Sequence, residues 1–143
     1  MQTLRFTCNK ATFVAHECAA VRWLDWDADF EMAQPFWPTG IPFDRQDWEE
    51  ARRAGYRYCA VVEGNRIVAM AAVYRFSDEA WMLAAVRTAE SHRCRGLGRQ
   101  VSTFVTGHIL NSGRLATCET RADNIPMIRT AESVGFRRSE QGG

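Results

Sequence analysis

A strand-like apolar run, Ala80 to Val86, leads into Arg93-Cys94-Arg95-Gly96-Leu97-Gly98-Arg99, and a helix-like run from Gln100 to Leu110 follows. A strand that enters a helix through two glycines one residue apart constrains the fold strongly. Glycine lets the backbone turn sharply and approach a ligand closely. The first amides of a helix lack intrahelical partners and point outward, and the helix dipole adds partial positive charge there. Such a turn is suited to an anion. Arg93, Arg95 and Arg99 surround it, and arginine suits bidentate phosphate contacts. The residues alone therefore describe a phosphate or pyrophosphate cradle in an α/β chain. No Gly-Lys-Ser/Thr follows the glycines, which disfavours a P-loop. The third glycine of a dinucleotide fingerprint is also missing.

The rest of the chain supplies a sheet and its covering helices. Tyr56 to Glu63 and Arg66 to Phe76 flank Gly64-Asn65, a favourable two-residue hairpin turn. A further strand is predicted from Ala80 to Thr88, and Val61, Val62, Val68, Val73 and Val86 mark these strands as central. Val101, Phe104, Val105 and Ile109 recur at helical spacing after the glycines. Leu115 to Arg121 reads as the next strand. Asp123 or Asn124 caps a last helix, with Pro126 in its first turn, Gly135 at its end, and a short strand from Phe136 to Ser139 beyond. Upstream, Leu4 to Cys8 reads as a strand, and Asn9 is expected to cap a helix reaching about Leu24, with Val14, Cys18 and Val21 on one face. Asp25 to Ile41 reads as irregular, broken by Pro35, Pro38 and Gly40. Asp44 and Asp47 form a capping pair for another helix, which Gly55 stops. The expected architecture is α/β with a mixed sheet, in a single domain over residues 1–143.

Charge and cysteine usage narrow the function classes. The net charge is +1, which gives no bulk electrostatic reason to bind nucleic acid. Residues 73–143 carry 10 basic and 7 acidic side chains, so the basic excess lies in the half with the glycine turn. The apolar run Ala80 to Val86 is too short to span a bilayer, so no membrane partner is expected. Cys8, Cys18, Cys59, Cys94 and Cys118 are scattered and include no CxxC pair. Neither a metal site nor a disulfide framework is expected, and a reduced cytoplasmic setting fits.

Three motifs then give a resemblance. Arg93-x-x-Gly96-x-Gly98 sits between a strand and a helix. Leu83-Ala84-Ala85-Val86 and Ser91-His92 lead into it. Asn124 is followed eleven residues later by Gly135-Phe136. In this order they resemble the GCN5-related N-acetyltransferase (GNAT) superfamily, over roughly residues 56–138. The resemblance implies a sheet splayed at its centre between the fourth and fifth predicted strands, with acetyl-CoA as co-substrate in the gap. It implies pantetheine contacts near Leu83, Ala85 and Val86. It places the pyrophosphate on Arg93, Cys94, Arg95, Gly96, Leu97, Gly98 and Arg99, and the pantetheine arm near Asn124. The implied reaction is direct acetyl transfer to a primary amine of a small molecule or peptide.

The chemistry asks for a base to deprotonate the amine and for backbone donors to the developing oxyanion. Ribosomal-protein acetyltransferases of this superfamily carry a Glu that matches Glu119, in Cys118-Glu119-Thr120, which makes Glu119 the candidate base. Its plainer reading is an exposed strand residue paired with an arginine. The family's tyrosine acid falls on Ala131, and water or Ser133 is the remaining proton source. A thiol with pKa near 8.5 also leaves tolerably without an acid. A non-catalytic acyl-CoA-binding domain is the alternative reading. Asp25, Asp27, Asp29 and Glu31 lie where the superfamily builds its acceptor pocket, beside Trp23, Trp26, Phe30, Phe36, Trp37 and Phe43. The acids read as a solvated loop or as a lure for a cationic amine. Only seven residues follow Phe136. An open sheet edge and a homodimer covering it are expected on that ground.

Overall fold

The computed structural model describes residues 2–37, 41 and 43–139. Pro38 and Gly40, two of the breakers noted above, lie outside the described residues. Among the described residues one seven-stranded sheet forms, from β1 (Thr3–Cys8), β2 (Val21–Trp23), β3 (Tyr56–Glu63), β4 (Arg66–Tyr74), β5 (Ala80–Thr88), β6 (Leu115–Arg121) and β7 (Arg137–Arg138). Its order is β2-β3-β4-β5-β6-β1-β7. The β5–β6 junction is parallel and the others are antiparallel. The helices are α1 (Phe30–Ala33), α2 (Arg45–Ala54), α3 (Leu97–Asn111) and α4 (Ile125–Val134). The expected α/β class with a mixed sheet is thus observed.

Local chemistry explains most boundaries. Asp44 accepts the Asp47 amide and Asp47 accepts the Asp44 amide, each at 2.9 Å, which completes a capping box for α2. Gly55 ends that helix with φ +105°. Gly64 (φ +56°) and Asn65 (φ +64°) form a two-residue turn with both residues left-handed, whose twist matches the β3–β4 hairpin. Asn124 caps α4 by accepting the Met127 amide at 3.3 Å, whereas Asp123 pairs with Arg121 at 3.0 Å.

The helix expected from Asn9 to Leu24 does not form. The Asn9 side chain does start a turn, accepting the amides of Ala11 at 2.9 Å and Thr12 at 3.0 Å. The chain then runs without regular structure over α4 and α3. The Val14 amide donates to the Val134 carbonyl at 2.9 Å, and the His16 amide donates to Thr103 Oγ1 at 3.2 Å. Val21 ends opposite Val61 as part of β2. Long-range partners outside the segment take the groups that a helix would have satisfied internally, so tertiary context overrides the local spacing. His16, expected on a helix, instead donates from Nε2 to the Ser133 carbonyl at 2.7 Å.

Both sheet faces are packed, by different helices. Leu83, Val101, Val105, Ile109, Cys118 and Phe136 form the core between the sheet and α3/α4. Trp48, Tyr58, Phe30 and Met70 form the core under α1 and α2. Trp48 is fully buried, and its indole N–H donates to the Trp26 carbonyl at 2.7 Å. β7 pairs with β1 at the sheet edge, through Phe6–Arg138 and Thr7–Arg137. Its two arginines are exposed, and a short charged edge strand discourages further pairing.

Candidate active site

The site is built where β5 and β6 part. They pair in parallel from Ala80–Leu115 to Leu83–Cys118, and beyond that rung each strand continues without the other. On its opposite side β5 pairs with β4, but the register slips by one residue between Ala72–Ala84 and Met70–Arg87. Ala85 takes the extra step with φ +55°, unusual for a residue with a Cβ, and is exposed. This is a β-bulge, a device that re-aims a strand. It places Leu83 and Val86 on the same face although they are three residues apart, both against the α3/α4 core. The expected contact residues Leu83, Ala85 and Val86 thus bracket the start of the gap.

The glycine turn lies at the far end of β5. A 3-10 turn, Glu90–His92, leads from the strand into it. Cys94 (φ +66°) and Gly96 (φ +76°) are both left-handed, on either side of Arg95, and Gly96 is the residue before α3. Alternating left-handed residues turn successive amides to one side. Among the described residues, no amide from Cys94 to Arg99 donates to a protein acceptor, and the first to do so is Gln100, to the Gly96 carbonyl at 3.0 Å. Gly98 packs closely: a Cβ there would sit 3.6 Å from Thr88 Oγ1 and 4.0 Å from both Val86 and Thr130. Arg93, Arg95 and Arg99 are exposed, and no carboxylate pairs with them among the described residues. Leu97 differs from its neighbours, since its side chain is buried and only its backbone can face the cradle. Unpaired amides, three unpaired cations and a helix N-terminus fit a pyrophosphate.

The α4 residues divide. Asn124 uses its side-chain oxygen for the cap and keeps its amide nitrogen at the exposed end of the helix. Ala131, at the position of the expected tyrosine, is fully buried in the core. Ser133 donates its hydroxyl to the Thr130 carbonyl at 2.7 Å. That bond commits the proton for which Ser133 was considered.

Glu119 lies on the other face of the sheet. Cys118 beside it points into the core, 1% exposed, and burial pushes its thiol up to about 12. Side chains alternate along a strand, so Glu119 and Thr117 face away from α3. Glu119 sits opposite Arg5 of β1, with Arg5 Nε 3.8 Å from its carboxylate. Both line a cavity of about 470 Å³ whose walls include Tyr74, Phe76, Met82 and Thr117. The cavity is next to the Leu83–Cys118 rung, because Met82 and Thr117 are the pair one step before it. The plainer reading of Glu119, an exposed residue paired with an arginine, describes its contact. Its place beside the splay is what the catalytic reading requires.

Other residues noted in the sequence have local partners. Asp25 accepts the amides of Asp27 and Ala28 at 2.8 Å. Asp29 pairs with Arg22 at 3.0 Å and Glu31 with Arg45 at 3.0 Å. Asp25 and Asp29 stitch their own loop and Glu31 ties it to α2, in keeping with the solvated-loop reading. Trp26, Phe30, Trp37 and Phe43 pack around Trp48, whereas Trp23 crosses to the other face, 5.0 Å from Phe104. His92 joins the hairpin to the glycine turn: its Nε2 donates to Glu63 at 2.9 Å and its Nδ1 lies 2.7 Å from Ser91 Oγ. Among the described residues no His, Cys, Asp and Glu are grouped to hold a metal ion, and no helix is long and apolar enough to cross a membrane.

The sequence profile of the Acetyltransferase (GNAT) family matches residues 18–136. The chain belongs to the GNAT acetyltransferase family. Its sheet matches solved structures of GNAT proteins over nearly its whole length. One from Novosphingobium aromaticivorans is 20% identical with TM-score 0.70, covering 98% of this chain and 62% of that one. An acetyltransferase from Colwellia psychrerythraea is 17% identical with TM-score 0.75, covering 96% and 52%. An aminoglycoside acetyltransferase from an uncultured soil metagenomic sample, solved with trehalose, is 12% identical with TM-score 0.66, covering 85% and 90%. At such identities the likeness establishes the GNAT fold. The chain spans 62% and 52% of the first two of these structures. No curated protein matches the chain. GNAT proteins in general draw their acetyl group from acetyl-CoA, and the amide cradle and splay of this chain fit that donor.

Proposed function

We propose that this GNAT chain transfers an acetyl group from acetyl-CoA directly to a primary amine of a small molecule or protein N-terminus. The observation that carries the reading is the run of amides from Cys94 to Arg99 without a partner among the described residues, at the far end of the splayed strand, with Arg93, Arg95 and Arg99 exposed in the same turn. When bound, acetyl-CoA supplies the activated thioester. The cradle holds the pyrophosphate through backbone N–H groups, with Arg93, Arg95 and Arg99 neutralising its charge. The backbone of Leu83, Ala85 and Val86 offers hydrogen bonds to the pantetheine arm, and Asn124 contributes its free amide nitrogen. The Ala85 bulge turns the strand at the point where an oxyanion donor is needed. Glu119 takes the proton from the acceptor ammonium, directly or through one water.

Burial of Ala131 and the committed hydroxyl of Ser133 favour a second reading, an acyl-CoA-binding domain that does not catalyse. Thermal shift with CoA, ATP and NAD separates the donor classes, and absence of a CoA response refutes both readings together. Thiol release from acetyl-CoA across an amine panel then decides between them.

A further inference from the structure

We infer that the acceptor is a small monoamine with a flat apolar body, seated on the open sheet face beside the splay. This rests on the acetyl-transfer reading above. The cavity there measures about 470 Å³, the size of a small-molecule site. It lies over β4, β5, β6 and β1, on the face opposite α3 and α4, and the α1/α2 core covers only the neighbouring part of that face.

The wall of the cavity is aromatic and braced. Tyr74 stacks on Tyr56 with ring centroids 4.3 Å apart and planes within 7°. Tyr56 lies 6.2 Å from Tyr58, which stacks on the fully buried Trp48. Phe76 sits 5.8 Å from Tyr74, lines the cavity and is 45% exposed, so a large apolar ring there meets solvent. Met82 completes the apolar side and adapts to a flat ligand. A platform held from behind by stacked rings costs little ordering when a ring settles on it.

The charges limit the ligand further. Among the described residues the cavity is lined by one carboxylate, Glu119, and one cation, Arg5, 3.8 Å apart. One carboxylate partners one ammonium. A second or third ammonium on the ligand would meet Arg5 and find no further acid among the described lining residues. A polyamine or a multiply charged aminosugar is therefore disfavoured. The Tyr74 and Phe76 faces add attraction for a single cation or a ring.

The test compares 2-phenylethylamine, spermidine and an alanine-initiated tripeptide as acceptors for the full chain with acetyl-CoA. The expected kcat/KM for 2-phenylethylamine is at least about tenfold above the other two, since one apolar group removed from water is worth that much. Phe76→Ser, at an exposed position, is expected to raise KM for 2-phenylethylamine about tenfold with kcat retained, because it removes uniform binding. Spermidine or the tripeptide as the better substrate, or an unchanged KM in Phe76→Ser, overturns the inference and leaves acetyl transfer standing. If no amine turns over, calorimetric titration of 2-phenylethylamine without donor decides the pocket separately. Binding weakened by Phe76→Ser supports it, and no binding overturns it.

Discussion

Leu83 and Cys118 face each other across the last rung of the parallel β5–β6 junction. Both point into the α3/α4 core, and one residue further along each strand the site begins. Cys118 anchors the rung and Glu119 faces the cavity on the other side. Ala84 still pairs with β4, and Ala85 leaves the regular register. The rung separates the paired part of the β5–β6 junction from the part where the two strands run apart.

Gly96→Val is expected to weaken CoA binding by at least about tenfold, measured by calorimetry. Its φ of +76° costs a side chain about 1–2 kcal/mol, and an added Cβ would stand 3.3 Å from Arg99 Nη2. The turn must relax, and the amides and the arginine move with it. Unchanged CoA affinity in a folded variant would count against the cradle.

Gly135→Ala tests stability instead. The φ is +105°, and a Cβ there would fall within contact distance of the Thr12 carbonyl and Phe13 backbone. Backbone cannot swing aside as a side chain does. Denaturant unfolding should show a loss of about 3 kcal/mol or more, at the upper end of single substitutions. The irregular segment after Asn9 would be displaced from α4, so exchange of the Val14 amide should quicken.

Thiol reactivity should single out Cys94. Burial pushes the Cys59 and Cys118 thiols up to about 12 and raises Cys8 above the usual range. Cys94 is exposed in the cradle, whereas Cys18 is half-buried. Ellman's reagent at pH 8 is expected to give one fast thiol, absent in Cys94→Ser and slowed by CoA. A fast reaction of unchanged amplitude in Cys94→Ser would contradict the placement.

His108 gives the fold an acid-side sensitivity. Burial lowers its pKa from the usual 6.5, and Arg75 and Arg57 nearby lower it further. Its buried Nε2 has no hydrogen-bond partner among the described residues, and its ring packs against Trp23, at 4.9 Å, and Trp81, at 5.8 Å. Arg114 also stands over Trp81, at 4.1 Å. The fold therefore favours the neutral ring. This contribution is present above the unfolded pKa of about 6.5 and is lost as pH falls toward the lower folded value. Denaturation midpoints between pH 5 and 8 should flatten in His108→Leu, and an identical slope would remove this role.

The elements legible in the sequence carried their own punctuation. The hairpin turn Gly64-Asn65, the Asp44–Asp47 capping box, the Asn124 cap and the stops at Gly55 and Gly135 act within a few residues. Strands β5 and β6 fall where alternation and apolar runs place them. The segment after Asn9 went the other way, because its amides bond to α4 and α3, far off in sequence. The cradle was legible as a motif, but the left-handed Cys94 was not, since nothing in its side chain asks for that conformation.

By itself the sequence determined the α/β class, the hairpin and the glycine turn, because turn chemistry, caps and periodicity are local, and its motifs resembled the family to which the chain belongs. The tertiary structure decided where the sheet opens and what faces the opening. The bulge at Ala85, the Leu83–Cys118 rung, the Arg5–Glu119 pair and the Tyr56–Tyr74–Phe76 wall join strands that are adjacent only after folding. Cross-strand register depends on how both faces pack against α2, α3 and α4, and no single segment encodes that balance.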